Sequence, residues 1–172
     1  EITVKGARHE HMVMLCQKLG EMGMRISPDG DGIWALASRR LTSADCSTLP
    51  YPGLATDFKP FLVTLLATTE GVGIVTENLF SGRFRYVEEL RRMGADIHTD
   101  SHHAVVRGVQ RLSGAPVQSH DIRAGAALVV AGLAAEGETV VADAEHIARG
   151  YDDIAAKLNG IGADIRSAYR RR

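Results

Sequence analysis

The sequence predicts an α/β fold built from repeated α+β units, and a recurring pattern supports it. Residues 4–26, 74–97 and 140–165 each read as a strand, a loop, an amphipathic helix and a second short strand. The glycines that end the three helices, Gly23, Gly94 and Gly162, are spaced 71 and 68 residues apart, by subtraction of their numbers. This regular spacing indicates one supersecondary unit that is copied along the chain.

Each of the three predicted helices carries an apolar stripe at helical spacing. Such a stripe is typical of a helix that packs one face on a core, and the following glycine is a common left-handed stop. Cys16 falls on the first stripe, which indicates a buried core thiol. The stripes are Met12, Leu15, Cys16, Leu19 and Met22; Tyr86, Val87, Leu90 and Met93; and Tyr151, Ile154, Ala155, Leu158 and Ile161.

Two further helices are predicted over residues 58–69 and 122–135, and both are apolar on nearly every side. We expect such helices to be buried on every side. The second is rich in alanine and glycine, which allow close helix packing. Each begins at an aspartate, Asp57 or Asp121, and aspartate is a favourable N-cap.

A full unit therefore reads strand, buried helix, strand, amphipathic helix, strand, hairpin and strand, with hairpin turns at 28–32 and 100–103. We expect a partial unit over residues 1–44, a complete unit over 45–114 and a second partial unit over 115–172. The chain opens directly on a strand, so we also expect it to belong to a longer protein.

Composition excludes several classes of function. The 172 residues are 45% hydrophobic and 24% charged, which is ordinary for a soluble globular protein. A net charge of −1 gives no sign of nucleic-acid or anionic-membrane binding. No apolar run reaches the ~18 residues that a membrane span needs, and no secretory signal is visible. Two cysteines are too few for a disulfide framework, so we expect a cytoplasmic protein.

Charged residues in the predicted loops suggest an anionic ligand. Arg83, Arg123 and Arg149 each lie near a helix start, and equivalent loops of a repeat could bring them together. A guanidinium binds carboxylates and phosphates through two parallel hydrogen bonds, although an exposed arginine is more often simply solvated. Asp57 and Asp121 each have two interpretations: a helix cap, or a carboxylate that orients or deprotonates a substrate hydroxyl.

The sequence predicts neither a metal nor a cofactor. His98, His102 and His103 lie around a predicted strand and turn, where neighbouring side chains point in different directions. Such an arrangement is a poor metal site. There is also no phosphate-binding loop and no dinucleotide fingerprint.

Seven short motifs, in their order and spacing, resemble one known family. They are 51–57 (YPGLATD), 76–84 (TENLFSGRF), 92–96 (RMGAD), 112–115 (LSGA), 121–125 (DIRAG), 131–137 (AGLAAEG) and 146–151 (HIARGY). From Glu1 to about Arg166, the chain resembles the C-terminal part of the UDP-N-acetylglucosamine enolpyruvyl transferases. The resemblance implies one lobe of an inside-out α/β barrel, with helices inside and sheets outside, and about two of its three repeat units.

The resemblance also implies a reaction. The family transfers an enolpyruvyl group from phosphoenolpyruvate to the 3-hydroxyl of UDP-N-acetylglucosamine, in peptidoglycan biosynthesis. The expected partners are these two substrates and an N-terminal lobe outside this chain.

Roles are carried over motif by motif. Asp57 resembles the carboxylate that binds and deprotonates the hydroxyl, and Arg149 the arginine that holds the phosphoenolpyruvate carboxylate. Leu79 occupies the position of a family residue that lines the sugar-nucleotide site, and Arg83 matches a family arginine in the same cleft. Asp121 and Arg123 match a family pair that supports the site at the lobe interface.

Some family features are missing from this sequence. The reactive cysteine and the residues that clamp phosphoenolpyruvate lie in the other lobe, so we expect the isolated chain to be inactive. Ala55 replaces a proline and Ala148 an acidic residue. These differences leave two alternatives open: transfer to another nucleotide acceptor in secondary metabolism, or a stand-alone lobe that binds without catalysis.

Overall fold

The computed structural model describes residues 1–80 and 82–167, so Ser81 and the end of the predicted third unit, residues 168–172, lie outside it. Its mixed α/β architecture agrees with the predicted fold class. A first antiparallel sheet has the strand order β1-β3-β2, with a helix, α1, between its first two strands in the chain. These elements are β1 (Ile2–Lys5), α1 (Val13–Glu21), β2 (Arg25–Asp29) and β3 (Gly32–Leu36).

A second sheet repeats this arrangement and adds a strand. Its order is β4-β5-β7-β6, in which β4 runs parallel to β5 and the other neighbours are antiparallel. The order β5-β7-β6 matches β1-β3-β2 of the first sheet. The elements are β4 (Cys46–Ser47), α2 (Lys59–Leu66), β5 (Val72–Thr76), α3 (Tyr86–Arg92), β6 (Asp96–Asp100) and β7 (His103–Arg107).

Both predicted hairpin turns are confirmed. Gly30, between β2 and β3, has a φ of 58°, and Ser101, between β6 and β7, has a φ of 52°. A left-handed backbone at the turn matches the twist of the flanking antiparallel strands.

The last part of the chain forms two separate two-stranded parallel pairs, β8 with β10 and β9 with β11. A long helix, α4, connects the members of these pairs, and two short helices follow. The elements are β8 (Leu112–Ser113), β9 (Pro116–Gln118), α4 (Ile122–Ala134), β10 (Ala135–Glu136), β11 (Val140–Ala142), α5 (Glu145–Ala148) and α6 (Ile154–Asn159).

The sequence prediction for residues 151–165 is partly wrong. The helix begins at Ile154 rather than Tyr151 and buries none of its residues, and residues 163–167 form no strand. In the first two sheets, the equivalent strands are β2 and β6, and each pairs with the return strand of its hairpin, β3 or β7. Within the described residues no return strand follows α6, so residues 163–167 have no neighbouring hairpin strand with which to pair.

Helices α2 and α4 pack on each other in the core. Leu62, Leu66, Leu128 and Ala131 are at most 2% exposed, and they share one apolar cluster with the stripe of α3. The predicted core thiol Cys16 is also buried, and burial raises its pKa.

Burial of the two apolar helices on every side is not observed. Val130 and Leu133 of α4 are 39% and 45% exposed, and Phe61 and Leu65 of α2 are only half-buried. Among the described residues no further element buries these four side chains. No helix in the described part of the chain has both the length and the apolarity to cross a bilayer.

Candidate active site

Asp57 and Arg123 form an ion pair that joins the turn before α2 to the start of α4, 66 residues away in the chain. Asp57 lies in a single 3-10 turn, Thr56–Phe58, that leads into α2, and Arg123 is the second residue of α4. Arg123 Nη1 donates to Asp57 Oδ1, and the two side chains remain 39% and 61% exposed. The hydrogen bond to Asp57 raises the pKa of Arg123, and burial opposes it only in part. The Asp57 carboxylate does not cap α2, so the cap interpretation of this residue is wrong.

Asp121 is the N-cap of α4, as one of its two interpretations predicts. Its Oδ1 accepts hydrogen bonds from the backbone N–H groups of Arg123 and Ala124, each at 2.9 Å. A capping aspartate satisfies donors that the first helical turn leaves unpaired. The cap also fixes the backbone from which the Arg123 side chain reaches Asp57.

Residues 149–151 lie beside the start of α4. The contact is tight at Gly150, where a Cβ atom would approach Ile122 Cγ2 to 2.4 Å. Arg149, at the end of α5, is exposed and immediately precedes this contact. Its backbone is therefore held near Arg123, although these two arginines come from different loops.

Tyr151 belongs to the same neighbourhood, whereas the sequence pattern predicted only a packing role for it. Burial raises the pKa of its hydroxyl, the charge of Asp57 raises it further, and the charge of Arg123 lowers it. The apolar stripe places Tyr151 on a helix with Ile154, but the residue lies before that helix begins. The signal that could have identified it is its position directly after Arg149-Gly150.

Arg83 and Leu79 lie on the loop between β5 and α3. The Arg83 guanidinium stacks on Phe80, 3.8 Å from the ring centroid, and its side chain is exposed. Leu79 is half-buried. The charge of Arg83 lowers the pKa of the Lys59 ammonium and the charge of Asp121 raises it, so both charges lie within electrostatic range of the start of α2.

A buried ion pair beneath these loops was not predicted. Glu77 is fully buried at the end of β5, and its Oε2 lies 2.8 Å from Nζ of Lys59, which is 2% exposed. The same ammonium lies 4.3 Å from the centroid of the Phe84 ring. Burial lowers the pKa of Lys59, and the contact with Glu77 counteracts this effect.

Two signals in the sequence could have revealed this pair. Glu77 continues the alternation of β5 on its buried side, since Gly73 and Val75 are buried as well. Lys59 is the one charged residue of an otherwise uncharged and mostly apolar α2. A charged residue at a position whose pattern demands burial must find a partner.

No group of three or more potential metal ligands occurs in the described part of the chain. His102 Nδ1 contacts the Glu77 carbonyl oxygen at 3.1 Å, and His103 Nδ1 lies 2.9 Å from the Thr76 hydroxyl. His102 and His103 thus interact with their own sheet, and His98 is exposed on β6.

Comparison with known proteins identifies the class. Residues 1–158 match the family model described as EPSP synthase (3-phosphoshikimate 1-carboxyvinyltransferase). The chain therefore belongs to this family of carboxyvinyl, or enolpyruvyl, transferases.

Within the family, the similarity is high to proteins named UDP-N-acetylglucosamine 1-carboxyvinyltransferase. The protein of this name from Nocardia farcinica is 48% identical over 162 residues, which cover 94% of this chain and 38% of the relative. That from Halothermothrix orenii is 47% identical over 166 residues, which cover 96% and 40%. The resemblance inferred from the motifs is confirmed, and the chain spans about two fifths of the length of these relatives.

Solved structures agree with this fold. The enolpyruvyl transferase NikO from Streptomyces tendae superposes with a TM-score of 0.84 at 29% identity, covering 95% of this chain and 39% of that protein. The EPSP synthase from Acinetobacter baumannii gives a TM-score of 0.70 at 22% identity, with 96% and 39% covered, and supports the fold alone.

Proposed function

We propose that this chain supplies part of the active site of an enzyme that transfers an enolpyruvyl group from phosphoenolpyruvate to the 3-hydroxyl of UDP-N-acetylglucosamine, a step of cell-wall biosynthesis. The identity of 47–48% to proteins named for this transfer supports the proposal. Because the chain spans about two fifths of those relatives, the rest of the site belongs to a further lobe, and the isolated chain has no turnover.

The observation that carries the proposal is the Asp57–Arg123 ion pair. Arg123 engages Oδ1 of Asp57, and no hydrogen bond to Oδ2 occurs within the described residues. The carboxylate is 61% exposed, so a substrate hydroxyl can reach Oδ2. We assign Asp57 as the group that binds and deprotonates this hydroxyl, and Arg123, held by the Asp121 cap, as the residue that orients it.

The remaining residues surround the reacting atoms. The acceptor oxygen adds to C2 of phosphoenolpyruvate while C3 gains a proton; phosphate then leaves C2 as C3 loses a proton, which restores the double bond. The negative groups of phosphoenolpyruvate need fixed cations, and a guanidinium fork suits a planar carboxylate. We assign Arg149 to bind that carboxylate. We place Arg83 in the same cleft and Leu79 in the wall of the sugar-nucleotide site.

We also assign the chain to a lobe of three repeat units, of which residues 1–44 and 115–172 are incomplete. The exposed apolar side chains of Val130 and Leu133 support this assignment, because a missing unit would cover them.

Replacing Asp57 tests the proposed function. In the full native polypeptide, Asp57→Asn keeps the shape but removes the base, so phosphate release that depends on both substrates should fall by about 10²–10⁴-fold. Asp96→Asn is the matched control, because Asp96 is an exposed carboxylate that also pairs with an arginine, Arg107, on the outer sheet. Wild-type turnover in Asp57→Asn would refute the assignment.

A second candidate function is transfer to another nucleotide acceptor. Its support is the pair of sequence differences, because Ala55 and Ala148 stand where the family has a proline and an acidic residue. Comparing UDP-N-acetylglucosamine with UMP as acceptor separates the two functions, and binding without turnover would indicate a non-catalytic lobe.

A further inference from the structure

Glu77 connects two of the segments that carry proposed site residues, the turn of Asp57 and the loop of Leu79. Its carboxylate is fully buried and receives hydrogen bonds from side chains and backbone of different segments. The donors are Thr48 Oγ1 at 2.6 Å, Thr56 Oγ1 at 2.7 Å, Leu79 N at 2.8 Å and Phe80 N at 3.2 Å.

The two carboxylate oxygens of Glu77 accept hydrogen bonds from different loops. Oε1 accepts from Thr48, Leu79 and Phe80, and so holds the loop that carries Leu79. Oε2 accepts from Thr56, the residue directly before Asp57, and pairs with Lys59 at the start of α2. One carboxylate thus fixes the distance between the turn of Asp57 and the loop of Leu79.

We infer that Glu77, neutralised by Lys59, is a positioning residue that holds Asp57 at the acceptor hydroxyl through the Thr56 hydroxyl. This inference rests on the proposed function. In this role, neither Thr56 nor Glu77 contacts the substrate.

Stability alone does not require this arrangement. A buried ion pair can often be replaced by apolar residues of similar volume without loss of stability. An ionised carboxylate, however, offers about four acceptor positions and no donor. An amide at residue 77 could still accept from Leu79 N, but its NH₂ group could not accept from Thr56 and would face the Lys59 ammonium.

The test removes a single hydroxyl in the full native polypeptide. Thr56→Val has nearly the same shape but cannot donate to Oε2, so the Asp57 turn loses its tether. Because small displacements of a catalytic group cost much rate, we expect kcat to fall about ten- to 100-fold, with little change in the KM for phosphoenolpyruvate. Thr56→Ser restores the hydroxyl and should restore kcat.

Thr69→Val is the matched control. Thr69 is 1% exposed, and its hydroxyl bonds to Ser43 Oγ at 2.6 Å and to the Leu66 carbonyl oxygen at 2.9 Å, beyond the other end of α2. The Thr69→Val variant should have a lower Tm, whereas the kcat of the folded enzyme should stay unchanged. If Thr56→Val does not fold, Thr56→Ala gives the same comparison without a β-branched side chain.

The outcomes separate this inference from the proposed function. A wild-type kcat in Thr56→Val, or a Thr56→Ser variant as slow as Thr56→Val, overturns the positioning role. If Asp57→Asn loses turnover while Thr56→Val does not, only the positioning role fails. If Asp57→Asn retains turnover, the proposed function itself fails.

Discussion

The buried carboxylate of Glu77 makes the stability of this protein depend on pH. Burial disfavours its ionised form, but the Lys59 ammonium, the hydroxyls of Thr48 and Thr56 and the backbone N–H of Leu79 together lower its pKa from 4.5 to about 2. A depressed carboxyl pKa contributes stability above the unfolded-state value, and this stability is lost as the pH falls towards the folded-state value. The contribution at neutral pH is on the order of 3 kcal/mol.

We therefore predict that the free energy of unfolding decreases steeply between about pH 5 and pH 2. In Glu77→Gln, which cannot titrate, the protein should be less stable at pH 7 and this part of the decrease should disappear. Denaturant titrations across this pH range measure both effects. Glu88→Gln is the control, since Glu88 is an exposed carboxylate paired with Arg91. An equal pH dependence in wild type and Glu77→Gln would contradict the prediction.

For single residues, the sequence predicted roles that depend on near neighbours in the chain, and it missed contacts between residues that are distant in the chain. The Asp121 cap and the buried Cys16 depend on neighbours within one helix turn, so the sequence offered the cap as one of two interpretations and indicated the buried thiol. Asp57 finds its partner 66 residues away, and Glu77 meets Lys59 across the end of the sheet. No spacing rule encodes such contacts, because they exist only once the units have packed.

At the scale of elements, helix α4 packs so closely on its neighbours that it needs small residues. A Cβ atom on Gly125 would lie 2.1 Å from Ser119 Oγ and 2.6 Å from Ile147 Cγ1. We predict that Gly125→Ala destabilises the protein by about 1–3 kcal/mol, although alanine is the better helix former.

Gly20→Ala is the matched control for this prediction. Gly20 lies in α1, and no atom comes within 4 Å of the position that an added methyl group would occupy. The variant should be stabilised by about 0.5–1 kcal/mol, because alanine loses less backbone entropy in a helix. Chemical denaturation of both variants measures the difference, and a stabilised Gly125→Ala would show that α4 packs more loosely than these short distances indicate.

The predicted elements were most accurate where pattern and partner lie within the chain. The stripe of α3 is buried as predicted, and both hairpins close at the expected turns. The helix predicted from Tyr151 is longer than the observed helix, and the strand predicted after Gly162 is absent from residues 163–167. An apolar stripe shows only which face would be buried if a partner were present.

At the scale of the whole molecule, the repeat explains both the fold and its open side. The sheet order β1-β3-β2 recurs as β5-β7-β6, as the glycine spacing predicted. The apolarity of α4 exceeds what its packing here requires, since Val130 and Leu133 remain exposed. Sequence alone identified the family, but the boundaries of the units and the roles of the site residues stay predictions.

The most direct test measures phosphate release from phosphoenolpyruvate by the full native polypeptide and by the 172-residue chain alone, with UDP-N-acetylglucosamine or UMP as acceptor. We predict turnover only for the full polypeptide, and only when UDP-N-acetylglucosamine is present. Turnover by the chain alone would contradict the shared active site. A full polypeptide that releases no phosphate with UDP-N-acetylglucosamine would contradict the proposed transfer.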